Sequence, residues 1–143
     1  MTYTAEAYFK HSHGEHPVRV TSPDEVDALI DAMLAESFAN SLAVLYLRDR
    51  PELESGGPDH EVRIGVNGDD KVGGVCLVLD GQVWFTKGQH TRDDDVFYNY
   101  MGNGADFPRD SEISLDALRT AVKEILAGAG VRAESVEWSE SAA

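Results

Sequence analysis

Gly74-Val-Cys-Leu-Val-Leu-Asp-Gly-Gln-Val-Trp-Phe-Thr-Lys87 is two strand-like runs joined by Asp80-Gly81. An Asp-Gly pair between apolar runs suits a two-residue turn, in which both central residues take positive φ. The stretch predicts an antiparallel hairpin, residues 74–79 against 82–87, and so a chain built around a sheet. Upstream, Val62, Ile64 and Val66 alternate as a strand, and Asn67-Gly-Asp-Asp70 turns the chain. Residues 42–47 are an apolar run of strand length, and residues 50–59 have the Pro, Gly and acidic composition of a surface loop. Tyr3, Ala5, Ala7 and Phe9 share one face of a first strand; a turn follows at 11–17, then a short strand at Val18 and Val20.

Two helices complete the pattern. Ser22-Pro23-Asp24-Glu25 opens the first: Ser22 caps, Pro23 suits the first helical position, and Glu25 closes a capping box. Val26, Leu29, Ile30, Met33 and Leu34 form its apolar stripe, Asp24, Asp27 and Asp31 point away, and it ends near Glu36. Downstream of the hairpin, residues 96–100 read as a strand and Met101-Gly-Asn-Gly104 as a glycine-rich turn. An extended stretch and a turn lead to Ser114, which caps a helix bearing Leu115, Leu118, Val122, Ile125 and Leu126 on one face. Gly128 stands where a left-handed cap is expected. Residues 134–138 form a closing strand ending on Trp138, predicted to be largely buried against the second helix. The reading is one α+β domain over residues 1–138, a mainly antiparallel sheet with both helices on one face, and a disordered tail at 139–143.

Composition narrows the function. The chain has 143 residues, a single-domain length, with Lys plus Arg 12 against Asp plus Glu 26 and a net charge of −14. That field opposes nucleic acid and anionic membranes and steers basic partners inward. Cys76, the single cysteine, lies in an apolar run and reads as a small buried hydrophobe. The N-terminus lacks the pattern of a signal peptide, and no apolar run approaches the roughly 18 residues of a membrane span. A cytoplasmic protein is expected.

No motif for catalysis stands out. His11, His13, Glu15 and His16 are close, but Gly14 and Pro17 break the geometry and no distant ligand completes a zinc set, so an exposed turn without metal is expected. Asp93-Asp94-Asp95 lacks the ligand alternation, glycine and glutamate of a calcium loop. It is either a solvated loop serving solubility or an anionic interaction edge. There is no nucleophile elbow and no phosphate cradle, and no cofactor is expected. Trp84 and Phe85 are adjacent on a strand, so one faces in and one out. An exposed ring there, beside Tyr98 and Tyr100, could anchor an interface.

The order of these elements resembles the first-numbered family of polymorphic-toxin immunity proteins, small cytoplasmic proteins widespread in actinobacteria. The likeness rests on Thr21-Ser-Pro-Asp-Glu-Val-Asp-Ala-Leu-Ile30, Ile64-Gly-Val66, Gly73-Gly74 and Trp84-Phe-Thr-Lys-Gly88. It is densest at Val96-Phe-Tyr98, Asp106-Phe-Pro108, Ser111-Glu-Ile113, the helix from Ser114 and Val136-Glu-Trp138, and spans residues 18–138. Members tend to pass from the last helix through a glycine to Arg-Pro; here the segment is Gly128-Ala-Gly-Val-Arg-Ala133. The resemblance implies an immunity protein, not an enzyme, that binds a cognate secreted toxin, commonly a nucleic-acid deaminase or nuclease. Asp69, Asp70, Asp93, Asp94 and Asp95, with Trp84 or Tyr98 as aromatic anchor, are the expected toxin-binding residues. The rivals are a small acidic metabolic enzyme, marked by a pocket of perturbed carboxylates, and a regulatory adaptor, marked by an apolar patch.

Overall fold

The computed structural model describes residues 3–141. In chain order the elements are β1 (Ala5–Tyr8), β2 (Val18–Val20), α1 (Pro23–Leu34), β3 (Leu42–Leu47), β4 (His60–Asn67), β5 (Val72–Leu79) and β6 (Gln82–Lys87). Then come β7 (Val96–Tyr100), β8 (Asn103–Phe107), β9 (Ile113–Ser114), α2 (Leu115–Ala127) and β10 (Glu137–Ser141). The main sheet runs β10-β6-β5-β4-β3-β1-β2, with β9 added to β5, and β7–β8 forms a separate two-stranded ribbon. Every pairing is antiparallel.

The two faces of the sheet bury different things. Ala43, Leu45, Val62, Ile64, Val75 and Leu77 pack with Val26, Leu29, Ile30 and Met33 of α1 and Leu118, Val122 and Ile125 of α2 in the larger core. Both helices therefore cover one face, as the period-2 and helical patterns predict. They are also tied to each other: Arg119 reaches Asp27 at 3.1 Å and Asp31 at 2.5 Å, and Lys123 reaches Asp27 at 2.8 Å. Asp27 and Asp31 thus face the second helix instead of pointing away, because a chain so rich in carboxylates places its few cations against them. Exposed pairs of this kind contribute little singly.

On the opposite face, Leu42 and Cys76 pack with Tyr98 and Phe107 of the β7–β8 ribbon in a smaller cluster. Gly65 and Gly74 are cross-strand partners there. A Cβ at Gly65 would collide with the ring of Tyr98, and one at Gly74 would crowd Phe107. The missing side chains form a trough into which the ribbon's rings settle. The ribbon turns at Met101 (φ 51) and Gly102 (φ 86), so the expected glycine-rich turn is shorter and β8 begins at Asn103.

Local capping departs from the sequence reading in three places. Ser22 Oγ does accept the Glu25 N–H at 3.3 Å, but the Glu25 carboxylate reaches back to Thr21, accepting its N–H at 2.9 Å and its hydroxyl at 2.6 Å. Gly128 has φ −90; the left-handed positions after α2 are Ala129 and Gly130, whose N–H closes onto Ile125 O at 2.8 Å. The last strand spans Glu137–Ser141, three residues later than expected at its start, and pairs Ser139 with Phe85 and Ser141 with Val83. Ser139 to Ser141 are therefore sheet and not tail, while residues 142–143 lie outside the described residues.

Candidate functional site

Arg92 organises the acidic end of the molecule. Its guanidinium donates to Glu112 at 2.5 and 3.3 Å and to Asp70 at 2.7 Å, and its backbone N–H donates to Arg109 O at 2.8 Å. Glu112 is buried, so its carboxylate requires this partner. The segment that follows is thereby fastened at its root, with the Arg109 guanidinium also donating to Asp93 O at 3.5 Å, and Asp93, Asp94 and Asp95 are exposed on it. Among the described residues none of these three, nor Asp69, lies within ion-pair distance of a cation. Asp70 differs: its charge is already answered by Arg92.

These carboxylates rim two shallow depressions that share Phe38 and Asn67. One, about 350 Å³, is lined by Asp93, Asp94, Asp95 and Phe97; the other, about 180 Å³, by Glu36 and Asp69. Asp106 is the cross-strand partner of Phe97 and adds another exposed carboxylate. The result is one anionic surface built from the 68–71 turn, the 93–95 loop and the ribbon.

The two aromatic anchors expected from sequence are not on it. Tyr98 is 0% exposed, its ring seated on Gly65 and meeting Phe107 edge-on at 4.9 Å, and burial raises its pKa. A side chain that closes the smaller core cannot also be a surface anchor. Trp84 is half-buried on the helix side of the sheet, where the Arg132 guanidinium covers its ring at 3.8 Å. Trp138 also lies on that side, half-buried and less enclosed than expected, donating from Nε1 to Ala133 O at 2.9 Å. Phe85 faces the ribbon, at 5.2 Å from Phe107.

The exposed rings are ones the sequence reading passed over: Phe97, 51% exposed, and Phe38, 43% exposed, in edge-to-face contact at 5.7 Å. A signal existed for Phe97. In the strand Val-Phe-Tyr-Asn-Tyr it shares parity with Asn99, and a polar partner in alternation marks the solvent face. Phe38 carried no such sign, because it sits in a short turn between α1 and β3.

Elsewhere the polar groups are committed to structure. His60 is buried, with Nε2 accepting the Leu47 N–H at 2.7 Å and Nδ1 donating to Asp59 at 2.9 Å. Arg50 holds Asp59 at 2.8 and 2.9 Å and donates to Ala129 O at 2.7 Å. Burial lowers the His60 pKa, and hydrogen bonding from Arg50 brings Asp59 down to about 2. The other carboxylates that shift, Glu25, Asp27 and Glu36, all shift down, led by hydrogen bonds from Thr21, Lys123 and Lys10. His13 Nδ1 accepts two backbone N–H groups, from Phe9 and Lys10, inside a 3-10 turn at His11–Gly14. No three His, Cys, Asp or Glu side chains converge as a metal site among the described residues. Cys76 is buried in the smaller core, which raises its thiol pKa to about 11 and makes it a poor nucleophile. A groove of about 750 Å³ between β6, β9 and β10 contains Lys87, His90 and Glu137, with the Arg92–Glu112 pair in its wall.

No curated protein matches the chain. A family model does: the one described as Immunity protein Imm1 matches residues 14–140, taking in every strand of the main sheet but β1, both helices, the ribbon and most of β10. The residues that carried the resemblance now have physical roles, Gly65 under Tyr98, Ser111 O accepting from the Thr86 hydroxyl at 2.9 Å and Glu112 bound by Arg92. With that match running over nearly its whole length, the chain belongs to the Imm1 family of immunity proteins.

Proposed function

We propose that this immunity protein neutralises a cognate secreted toxin domain that acts on nucleic acid, a deaminase or a nuclease, by occupying its basic substrate cleft in the cytoplasm. It acts by binding and performs no chemistry of its own. The observation that carries this reading is the anionic surface, on which Asp69, Asp93, Asp94 and Asp95 stand exposed and, among the described residues, in no ion pair. A cleft that binds phosphates is lined with Lys and Arg, and such a surface meets it with fast, charge-steered encounter. The carboxylates stand on an open surface with shallow depressions, the arrangement that suits the inhibitor better than the metabolic enzyme.

The test is protection. Cells producing the toxin domain encoded beside this chain should survive when it is co-expressed and die when it is not. Survival that does not depend on this chain, together with no binding between the purified proteins, would remove the reading.

A further inference from the structure

We infer that Phe38 and Phe97, with the aspartates at 93, 94 and 95 beside them, are the docking element of this protein and imitate single-stranded nucleic acid. The rings stand where bases would stack and the carboxylates where phosphates would lie. The inference rests on the toxin-binding function proposed above and names the surface and the kind of pocket that receives it.

Exposure sets the starting point. Two phenylalanines 43% and 51% exposed and in contact with each other are costly to leave in water. They are not loosely held. Behind them runs a continuous row of rings: Phe38 contacts Tyr98 at 6.5 Å, Tyr98 contacts Phe107 at 4.9 Å and Phe107 contacts Phe85 at 5.2 Å. The 3-10 turn at Phe38–Asn40 is also stitched to the ribbon. Asn99 Nδ2 donates to Phe38 O at 3.2 Å, the Asn99 N–H donates to Ser41 Oγ at 2.9 Å, and the Gly102 N–H donates to Ala39 O at 2.8 Å. A surface fixed from behind in this way loses little freedom on binding.

Charge then selects the occupant. The rings line the same depression as Asp93, Asp94 and Asp95; Arg92 also lines it but is paired with Asp70 and Glu112, and Asp106 lies across the ribbon from Phe97. A purely apolar partner would have to desolvate these carboxylates without compensation. A second copy of a chain with net charge −14 would bring like charge against them. What fits both chemistries is a basic groove with flat apolar or aromatic walls, the arrangement by which proteins hold single strands through phosphate contacts and base stacking.

Binding of the toxin domain encoded beside this chain, followed kinetically, separates the parts. Phe38→Ala/Phe97→Ala should raise Kd at least about 30-fold, chiefly through faster dissociation, the behaviour of central anchors. Replacing the aspartates at 93, 94 and 95 by Asn should mainly slow association and flatten its salt dependence. Leu53→Ser/Val131→Ser, which removes two other exposed apolar side chains, should leave binding unchanged. Melting curves verify that each variant is folded, and Phe97→Ala alone decides if the double variant is not. Labelled single-stranded DNA and RNA, phosphorothioate-linked against cleavage, should be displaced from the toxin domain by this protein. Binding of Phe97→Ala within about 3-fold of wild type, simultaneous binding of oligonucleotide and immunity protein, or a toxin domain that binds neither oligonucleotide would overturn the imitation. Failure of the wild-type pair to bind at all would instead remove the function on which it rests.

Discussion

Gly65→Ala is the sharpest structural perturbation this fold offers. A Cβ there would overlap Cγ, Cδ2 and Cε2 of Tyr98 well inside van der Waals contact. The backbone cannot retreat, since Gly65 is held on both sides, opposite Leu42 of β3 and Gly74 of β5. The ring has no better choice, being fully buried and packed edge-on against Phe107 at 4.9 Å. The ribbon must lift from the sheet, and overpacking of this kind costs about 1–3 kcal/mol. With rigid groups on both sides the upper half of that range applies, and at about 2–4 °C per kcal/mol for a chain this long the Tm should fall by about 4–12 °C. Calorimetry measures this directly, with near-ultraviolet circular dichroism reporting the displaced rings. Combining Gly65→Ala with Tyr98→Leu should cost less than the sum of the two, because Leu vacates the space the new methyl needs. A Gly65→Ala protein melting within 1 °C of wild type, or strict additivity in the double variant, would refute the account of the trough.

The His60 network predicts how stability follows pH. His60 is held neutral, with its folded pKa below the ordinary 6.5, so its contribution is complete above that value and is lost as pH falls below it towards the folded pKa. The Tm of wild type should drop between pH 7.5 and 5.5 more steeply than that of His60→Gln, and parallel curves would exclude the buried neutral imidazole. Asp59 acts lower on the scale: its contribution is lost as pH falls from its ordinary 3.8 through about 2, so the cost of Asp59→Asn should fade across that window. Trp138→Ala should destabilise by about 2–3 kcal/mol, less than the 3–5 of a fully buried aromatic, since its ring is only partly buried. An unchanged melting temperature would place the ring outside the fold.

What could be read from the sequence was local. Asp80-Gly81 specified its turn, with φ values of 52 and 79, because few residue pairs tolerate two left-handed positions in succession. Residues 42–47, bounded by polar neighbours, form the strand expected, and Ser22 and Ser114 cap the helices expected, since a cap depends on three or four adjacent residues. The misreadings fall where distant partners decide. The chain already turns at Met101 and Gly102, so Asn103 and Gly104, read as turn, open β8 instead. Tyr98 faces inward because Gly65, 33 positions earlier, leaves room for it. Trp84 is covered by Arg132, which no spacing rule connects to it. For the candidate surface, the carboxylates were legible as a run, whereas the pairing of Phe38 with Phe97 exists only after the ribbon is laid on the sheet.

That layering divides the work of the molecule. The helix side carries most of the buried apolar side chains and with them most of the stability. The ribbon side closes over a smaller buried cluster, Leu42, Cys76, Tyr98 and Phe107 among the described residues, and its exposed outward side chains include Phe97 and Asp106. Substitutions at such exposed positions typically change stability by no more than about 0.5 kcal/mol. Exposed charges on the same surface act strongly on encounter with a partner. On the docking surface proposed above, Phe97 and the three aspartates could therefore be exchanged to suit a different toxin while Gly65, Tyr98 and Phe107 keep the ribbon in place. A family whose members must each match a particular toxin is served by this arrangement, in which the residues that would recognise the partner are separate from those that hold the fold.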